Sequence, residues 1–395
     1  MEQNDVVIVA AKRTPMGNML GALSNLSAPD LGAEAHRAAI DFAQISPNDI
    51  DEVISGCVLQ AGIGQAPARQ AAIKAGVPEA IGATTINKMC GSGMKAVMLA
   101  HDLIKCGSAN TILAGGMESM SNAPYLLSKA RAGYRLGHGE IKDHMFLDGL
   151  EDAYDRGRLM GYFAEATAKH YQFSRNAQDD FAIRSMERAI QSNNDRSFAE
   201  EIVPITITSK KGDITIEKDE SPDPNKLAKI AQLKPAFQAD GTVTAANSSS
   251  ISDGAASLIV MSYAQANKLG LKPLARIVAH ASHAQAPQWF TTAPVEAIRK
   301  VMNRAGWKQN DVDLYEINEA FAVVAMAAMQ ELELSADMVN IHGGACALGH
   351  PIGASGARIL VTLIHALKQK AKKRGVAALC IGGGEATAMA IEVID

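Results

Sequence analysis

The chain carries one short script twice, and that repetition restricts its fold more than any other feature. Asn48-Asp49-Ile50-Asp51 recurs as Asn310-Asp311-Val312-Asp313, and Ser92-Gly93 as Ser355-Gly356. Gly115-Gly116-Met117-Glu118 has its counterpart in Gly383-Gly384-Glu385, in the same order and at nearly one offset. Each match is short, but three in register point to two copies of one βα unit. The apolar periods agree. Residues 6–10, 53–58 and 111–114 are strand-like runs. Leu31, Ala35, Ala38, Ala39 and Phe42 recur at helical spacing, with Pro29 in the first turn. Met94, Val97, Met98, His101 and Ile104 form a second helical stripe that stops at Lys105 and Gly107, and Leu360, Leu363, Ile364 and Leu367 form its partner. Strands alternating with helices predict an α/β protein whose parallel sheet is covered on both faces.

From about residue 120 to 250 the pattern changes. Residues 128–160 are rich in Lys, Arg, His, Asp and Gly. Ser174, followed by Asp179 and Asp180, reads as a helix start, with Ala182, Met186 and Ala189 on one face. Thr206-Ile207-Thr208 and Ile214-Thr215-Ile216 read as a hairpin around Lys210-Lys211-Gly212. Pro222, Pro224, Lys226 and Lys229 read as a basic loop. Residues 1–120 with 251–273 therefore make one half, 274–395 the other, and 121–250 an inserted loop domain. An insertion of this kind supplies a binding wall beside a rigid sheet.

Composition narrows the class of function. A net charge of −4 over 395 residues argues against nucleic acid as the main partner. The five cysteines, Cys57, Cys90, Cys106, Cys346 and Cys380, are odd in number and none shows Cys-x-x-Cys spacing, which fits a reducing compartment and weighs against a disulfide framework or a zinc cluster. No apolar run has membrane-spanning length. A strand begins at once at residue 6 without an export leader, and the last residues are not a peroxisomal signal, so a cytoplasmic location is expected.

Chemistry concentrates at the turns. Asn87-Lys88-Met89-Cys90-Gly91-Ser92-Gly93 puts a thiol at the start of a helix, where partial positive charge lowers a thiol pKa. The plainer alternative is a buried cysteine in a core turn. Asn318-Glu319-Ala320-Phe321 opens a helix, Gly349-His350-Pro351-Ile352-Gly353 precedes the second Ser-Gly pair, and Cys380-Ile381-Gly382-Gly383-Gly384 ends the last long strand. Thr244-Ala245-Ala246-Asn247-Ser248-Ser249 is a small polar run that reads most simply as solvated loop. A helix cap for Asn318 and a turn role for His350 are the dull readings. Against them stands the position of Cys90, His350 and Cys380 at strand-to-helix or strand-to-turn switches, where open sheets bind ligands.

Together these four motifs resemble the thiolases, and the resemblance runs over essentially the whole chain, from Arg13-Thr14-Pro15 to the turn after Cys380. It implies two mixed sheets with helices in a five-layer αβαβα arrangement plus the inserted loop domain. It also implies an acetyl-CoA C-acetyltransferase that reversibly condenses two acetyl-CoA to acetoacetyl-CoA by a ping-pong route through acetyl-Cys90. By resemblance His350 is the base for Cys90, and Cys380 moves the substrate proton. Asn318 holds a water that serves the enolate oxygen with His350, and the N–H groups of Cys90 and Gly382 hold the tetrahedral oxyanion. Acetyl-CoA, acetoacetyl-CoA or another acyl-CoA is placed against Met160, Lys229, Phe237, Ala245, Ser248, Ser249, Phe290, Ala320 and Phe321. No metal and no separate cofactor is implied, coenzyme A being part of substrate and product, and a homodimer or homotetramer is implied. Leu159-Met160-Gly161 and His342 depart from the usual pattern and bear on chain-length preference. A thiolase of broader chain length, a decarboxylating ketoacyl synthase and a non-catalytic acyl-CoA binder are the alternatives.

Overall fold

In the computed structural model, which describes residues 1–208 and 212–394, the two copies of the repeated tetrapeptide do the same job. Asp51 Oδ2 accepts the N–H groups of Asn110 (2.6 Å) and Thr111 (2.9 Å); Asp313 Oδ2 accepts those of Lys373 (3.0 Å) and Arg374 (2.9 Å). Each carboxylate pins the first residues of a long strand. The first half contains β1 (Val6–Arg13), α1 (Ala28–Ala43), β2 (Glu52–Gly56), α2 (Pro67–Lys74), β3 (Gly82–Ile86), α3 (Ser92–Lys105) and β4 (Thr111–Ser119). The insertion contributes α4 (Met160–His170) and α5 (Arg175–Asn194). There follow β5 (Ser252–Ser262), β6 (Ala275–Ala284), α6 (Ala293–Ala305), β7 (Leu314–Ile317), α7 (Ala322–Glu331), α8 (Ser355–Gln369), β8 (Arg374–Ile381) and β9 (Glu385–Val393).

The strands run in the order β3-β2-β4-β5-β1-β6-β9-β8-β7, with the two-residue strand Gly17–Asn18 added to β5. The order is nearly symmetric about the β1/β6 seam, where only Val7–Arg276 and Ile8–Ala275 pair, so the two sheets are joined there by hydrogen bonds. The sheet is mixed rather than parallel. Only β2 with β3 and β4, and β7 with β8, are parallel. The turn between β8 and β9 is three glycines long, too short for a crossover, and forces an antiparallel pair. Cys380 accordingly ends the penultimate strand, not the last.

The helices α3 and α8 form the central layer. A Cβ on Gly93 would stand 2.7 Å from Ala357 N, and one on Gly356 would stand 2.4 Å from Met94 N, so the repeated Ser-Gly pairs let the two helices touch backbone to backbone. Met94, Val97, Leu360, Leu363 and Ile364 fill this layer against strands of both halves, each worth about 1.5–3 kcal/mol of burial. On the outer faces α1 packs Ala39 and Ile40 against Val53 and Leu113, while α6 packs Val295 and Ile298 against Val376 and Ala388. This gives the αβαβα layering. Phe42 leaves the predicted stripe: it is 37% exposed beneath the Lys12 ammonium, and His36, Ile40 and Ala43 take the buried face.

In the insertion, Ser174 caps α5 and accepts from Ala177 N, and Ala182, Met186 and Ala189 are buried as expected. Ile205–Ile207 pairs with Ile214–Ile216, while the Lys210-Lys211 turn of that hairpin lies outside the described residues. The basic loop instead holds a helical turn, Pro224–Leu227, capped by Asp223. Among the described residues no helix is long and apolar enough to cross a membrane. Arg13 closes β1 as a fully buried guanidinium. Its Nε donates to Glu201 Oε1 (2.6 Å), and its two Nη atoms donate to Asp219 (2.7 and 2.9 Å). Arg13→Met strands two buried carboxylates and is expected to cost about 3–5 kcal/mol, read from the urea midpoint; a loss under 1 kcal/mol contradicts this.

Candidate active site

Cys90 sits in a tight turn just before α3. Met89 holds φ at 46°, a left-handed conformation that costs a non-glycine residue about 1–3 kcal/mol. The turn is held by Asn87 Oδ1, which accepts from Met89 N (2.9 Å), and by Ser92 Oγ, which accepts from Lys88 N (2.8 Å) and donates to Met89 O (2.6 Å). Lys88 forms an ion pair with Glu385 at the start of β9, bridging this turn to the one after Cys380. A Cβ on Gly91 would lie 2.3 Å from Ile381 Cδ1, so the two turns are in contact. Charge on the half-buried Cys90 thiol raises the pKa of the fully buried Cys380 thiol.

The helix start does not make Cys90 acidic. Burial pushes its thiol up to about 11, only partly offset by the N–H groups of Gly382 and of Cys90 itself, and Glu118 adds to the rise. Dehydration outweighs the helix-end charge. Cys380 is pushed up well above the usual thiol value, first by burial and then by Cys90. Alkylation of Cys90 by iodoacetamide in the ligand-free protein is therefore expected to accelerate about tenfold per pH unit from pH 7 to pH 10, as the thiolate fraction grows. A plateau below pH 8 contradicts this.

His350 is buried and held through a chain of hydrogen bonds. Its Nδ1 lies 2.5 Å from Ser355 Oγ, which donates to Pro351 O at 3.0 Å. With the hydroxyl committed to Pro351, Nδ1 carries the proton and Nε2 keeps a free lone pair. Nε2 has no partner among the described residues, nor has the buried Oδ1 of Asn318, whose Nδ2 is 3.5 Å from His350 Nδ1. Two adjacent orphan polar atoms suit a substrate oxygen or a water. Burial, and next the charge of Arg358, lower His350 to about 3, so thiol and imidazole are both neutral at pH 7. Asn318 is not a helix cap, since Phe321 holds that place on α7.

Of the predicted substrate contacts, Met160, Phe237, Phe290, Ala320 and Phe321 share one apolar cluster with Cys380. Phe321 stands edge to face with Phe237 at 5.9 Å and with Phe290 at 6.5 Å. The run 244–249 is not solvated loop. Thr244, Asn247 and Ser248 are buried, Ser249 N donates to Ala320 O (2.9 Å), and Ala322 N donates to Asn247 O (2.8 Å). Ser249 is half-buried and Ala245 exposed beside it, whereas Lys229 is exposed and outside the cluster. His342 packs on Phe198 and meets Ser192 Oγ at 2.9 Å, within a cluster separate from the one around Cys380.

Sequence reading missed Glu118. Its buried carboxylate accepts the N–H groups of Val58 (3.0 Å), Leu59 (3.1 Å) and Gly353 (2.9 Å), tying the His350 turn to the first half. Burial raises it to about 7. Its place in the repeated Gly-Gly-Met-Glu segment was the available signal.

A duplicated α/β fold that brings two thiols, an imidazole and an amide to its central turns agrees with the comparisons to known proteins. Residues 6–264 match the family described as "Thiolase, N-terminal domain" and residues 271–393 match "Thiolase, C-terminal domain". The chain belongs to the thiolase family. It is 49% identical over 390 residues to the acetyl-CoA acetyltransferase of Cupriavidus necator, covering 98% of this chain and 99% of that one. It is 49% identical to acetyl-CoA acetyltransferase 1 of Arabidopsis thaliana, covering 100% and 96%. The crystal structure of the Bacillus anthracis acetyl-CoA acetyltransferase superposes with a TM-score of 0.96 at 41% identity, covering 99% of each chain.

Proposed function

We propose a division of labour between two thiols. The chain is an acetyl-CoA C-acetyltransferase, and its substrates are acyl-CoA thioesters. Cys90 attacks the carbonyl of the first acetyl-CoA while His350 Nε2 takes its proton and passes it to the departing CoA sulfur, leaving acetyl-Cys90. Cys380, after releasing its own proton to solvent, removes a methyl proton from a second acetyl-CoA as the thiolate, and the later return of that proton to Cys90 regenerates the thiolate for the next cycle. The carbanion attacks the acetyl carbonyl, the carbon–sulfur bond to Cys90 breaks, and Cys380 returns the proton to Cys90. The N–H groups of Cys90 and Gly382 stabilise the tetrahedral oxyanion, and His350 with an Asn318-held water stabilises the enolate. For that second task the imidazole changes tautomer: Nε2 takes a proton from water, Nδ1 gives its own up to water, and the Ser355 hydroxyl then turns to donate to Nδ1.

The observation that carries this reading is the contact between the turns of Cys90 and Cys380, with Gly382 N–H acting on the Cys90 sulfur. The Phe237, Phe290 and Phe321 cluster beside Cys380 suits the pantetheine arm, with Met160 and Ala320 nearer the reacting end and Ala245, Ser248 and Ser249 along the outer wall. Both steps exchange only a thioester and a proton, so no metal or redox cofactor is needed. A homodimer or homotetramer and a cytoplasmic location belong to the same reading. Initial rates of acetoacetyl-CoA thiolysis at several CoA concentrations test it: double-reciprocal lines are expected to be parallel, and intersecting lines rule out the acyl-enzyme.

A further inference from the structure

His101 lies near the end of α3, far along the helix from Cys90, and meets His280 of β6 and its own neighbour Asp102. Their ligating atoms form a nearly equilateral triangle: His101 Nδ1 to Asp102 Oδ1 is 3.0 Å, His280 Nε2 to Asp102 Oδ1 is 2.8 Å, and His280 Nε2 to His101 Nδ1 is 3.2 Å. The rings stand edge to face, 4.9 Å between centroids. When both nitrogens carry lone pairs they and the Asp102 oxygen repel one another, although a ring proton on either can be donated to Asp102 instead. A cation between them removes the conflict. A triangle with sides near 3 Å presents three donors to an ion about 2.0–2.1 Å from each, standing roughly 1 Å off their plane.

The chemistry of the donors selects the ion. Two imidazoles and a carboxylate suit a zinc-class transition metal, whereas magnesium and calcium prefer oxygen alone. The histidine side chains are 14–15% exposed and that of Asp102 is 53% exposed, so the outer face is open to an arriving ion and its waters. Lys95 places a positive charge within reach of His280, which the contacting carboxylate of Asp102 opposes. His280 Nδ1 is buried without a partner among the described residues, so the ring lacks the outer hydrogen bond that usually strengthens a histidine ligand. That makes the affinity moderate.

We propose that His101, Asp102 and His280 bind one divalent zinc-class ion, a clamp tying the helix behind Cys90 to the sheet of the second half. It is separate from the two reacting thiols, and its effect is on stability. The test is a titration of Co2+ into the full chain carrying Cys106→Ser, with the active-site thiols blocked by iodoacetamide. Cys106 is exposed four residues from Asp102, and its removal takes away a competing thiol ligand. One equivalent of uptake is expected, with d–d absorption and no sulfur-to-metal charge-transfer band. Zn2+ is expected to raise the thermal midpoint of the same protein. His280→Gln and His101→Gln should each weaken uptake by more than about 10-fold, the loss that removal of even an outer partner causes. Thiolysis by the unblocked, metal-free variants should stay at the parent rate. Absence of saturable uptake, or uptake that survives both substitutions, overturns the proposal.

Discussion

Cys90→Ala is expected to leave no acetyl group on the protein after incubation with acetyl-CoA and to lower kcat in both directions roughly 10^4-fold or more, the scale seen when a catalytic nucleophile is removed. The loss is chemical, because the turn survives without the sulfur. Met89 is kept in its left-handed conformation by Asn87 and Ser92, and α3 is anchored by Met94 and Val97 in the central layer. Losing one partly buried sulfur atom costs about 1 kcal/mol, small for a core of this size. Intact-protein mass spectrometry supplies the first readout and far-ultraviolet circular dichroism checks the fold. Acetylation that persists in this variant and maps to Cys380 would reverse the two roles.

How much of this was readable beforehand follows from where each signal sits. Cys90, His350, Cys380 and Asn318 stand in turns whose composition is local, so their place in the fold could be read from the chain. The repeats at Asp51 and Asp313 likewise announced a duplicated sheet, since each fixes its own strand start. What could not be read depends on contacts made at long range. The helix start beside Cys90 suggested a low thiol pKa, but burial by Ile381 and its neighbours from the other half reversed the sign. The 244–249 run looked solvated because its polar atoms are satisfied by Asp179 and the start of α7, both distant in sequence, and by Thr242, which the distant Glu165 holds in place. The parallel sheet failed at β8 and β9 because alternation of helices and strands says nothing about a strand pair closed by three glycines. Glu118 was hidden for a similar reason: its partners Val58, Leu59 and Gly353 converge only when the halves close.

Cys380→Ala separates the two half-reactions. Acetyl-Cys90 is still expected to form, because the attack uses Cys90, His350 and the two N–H groups, and none of them requires the second sulfur. Condensation is expected to fall about 10^2- to 10^4-fold, the usual contribution of a positioned proton-transfer group. The coupling between the thiols provides a test of whether they share one site. Negative charge on Cys90 opposes ionisation of Cys380, so the two thiolates exclude each other in the free enzyme. At alkaline pH, where free Cys90 ionises, acetylation removes that repulsion, because the thioester carries no charge. A consequence can be measured: in the parent protein, alkylation of Cys380 at a fixed alkaline pH should be faster after Cys90 has been acetylated than in Cys90→Asp, where a carboxylate preserves the opposing charge. Equal rates in the two would show that the sulfurs do not share one site, and loss of Cys90 acetylation in Cys380→Ala would overturn the division of labour between them.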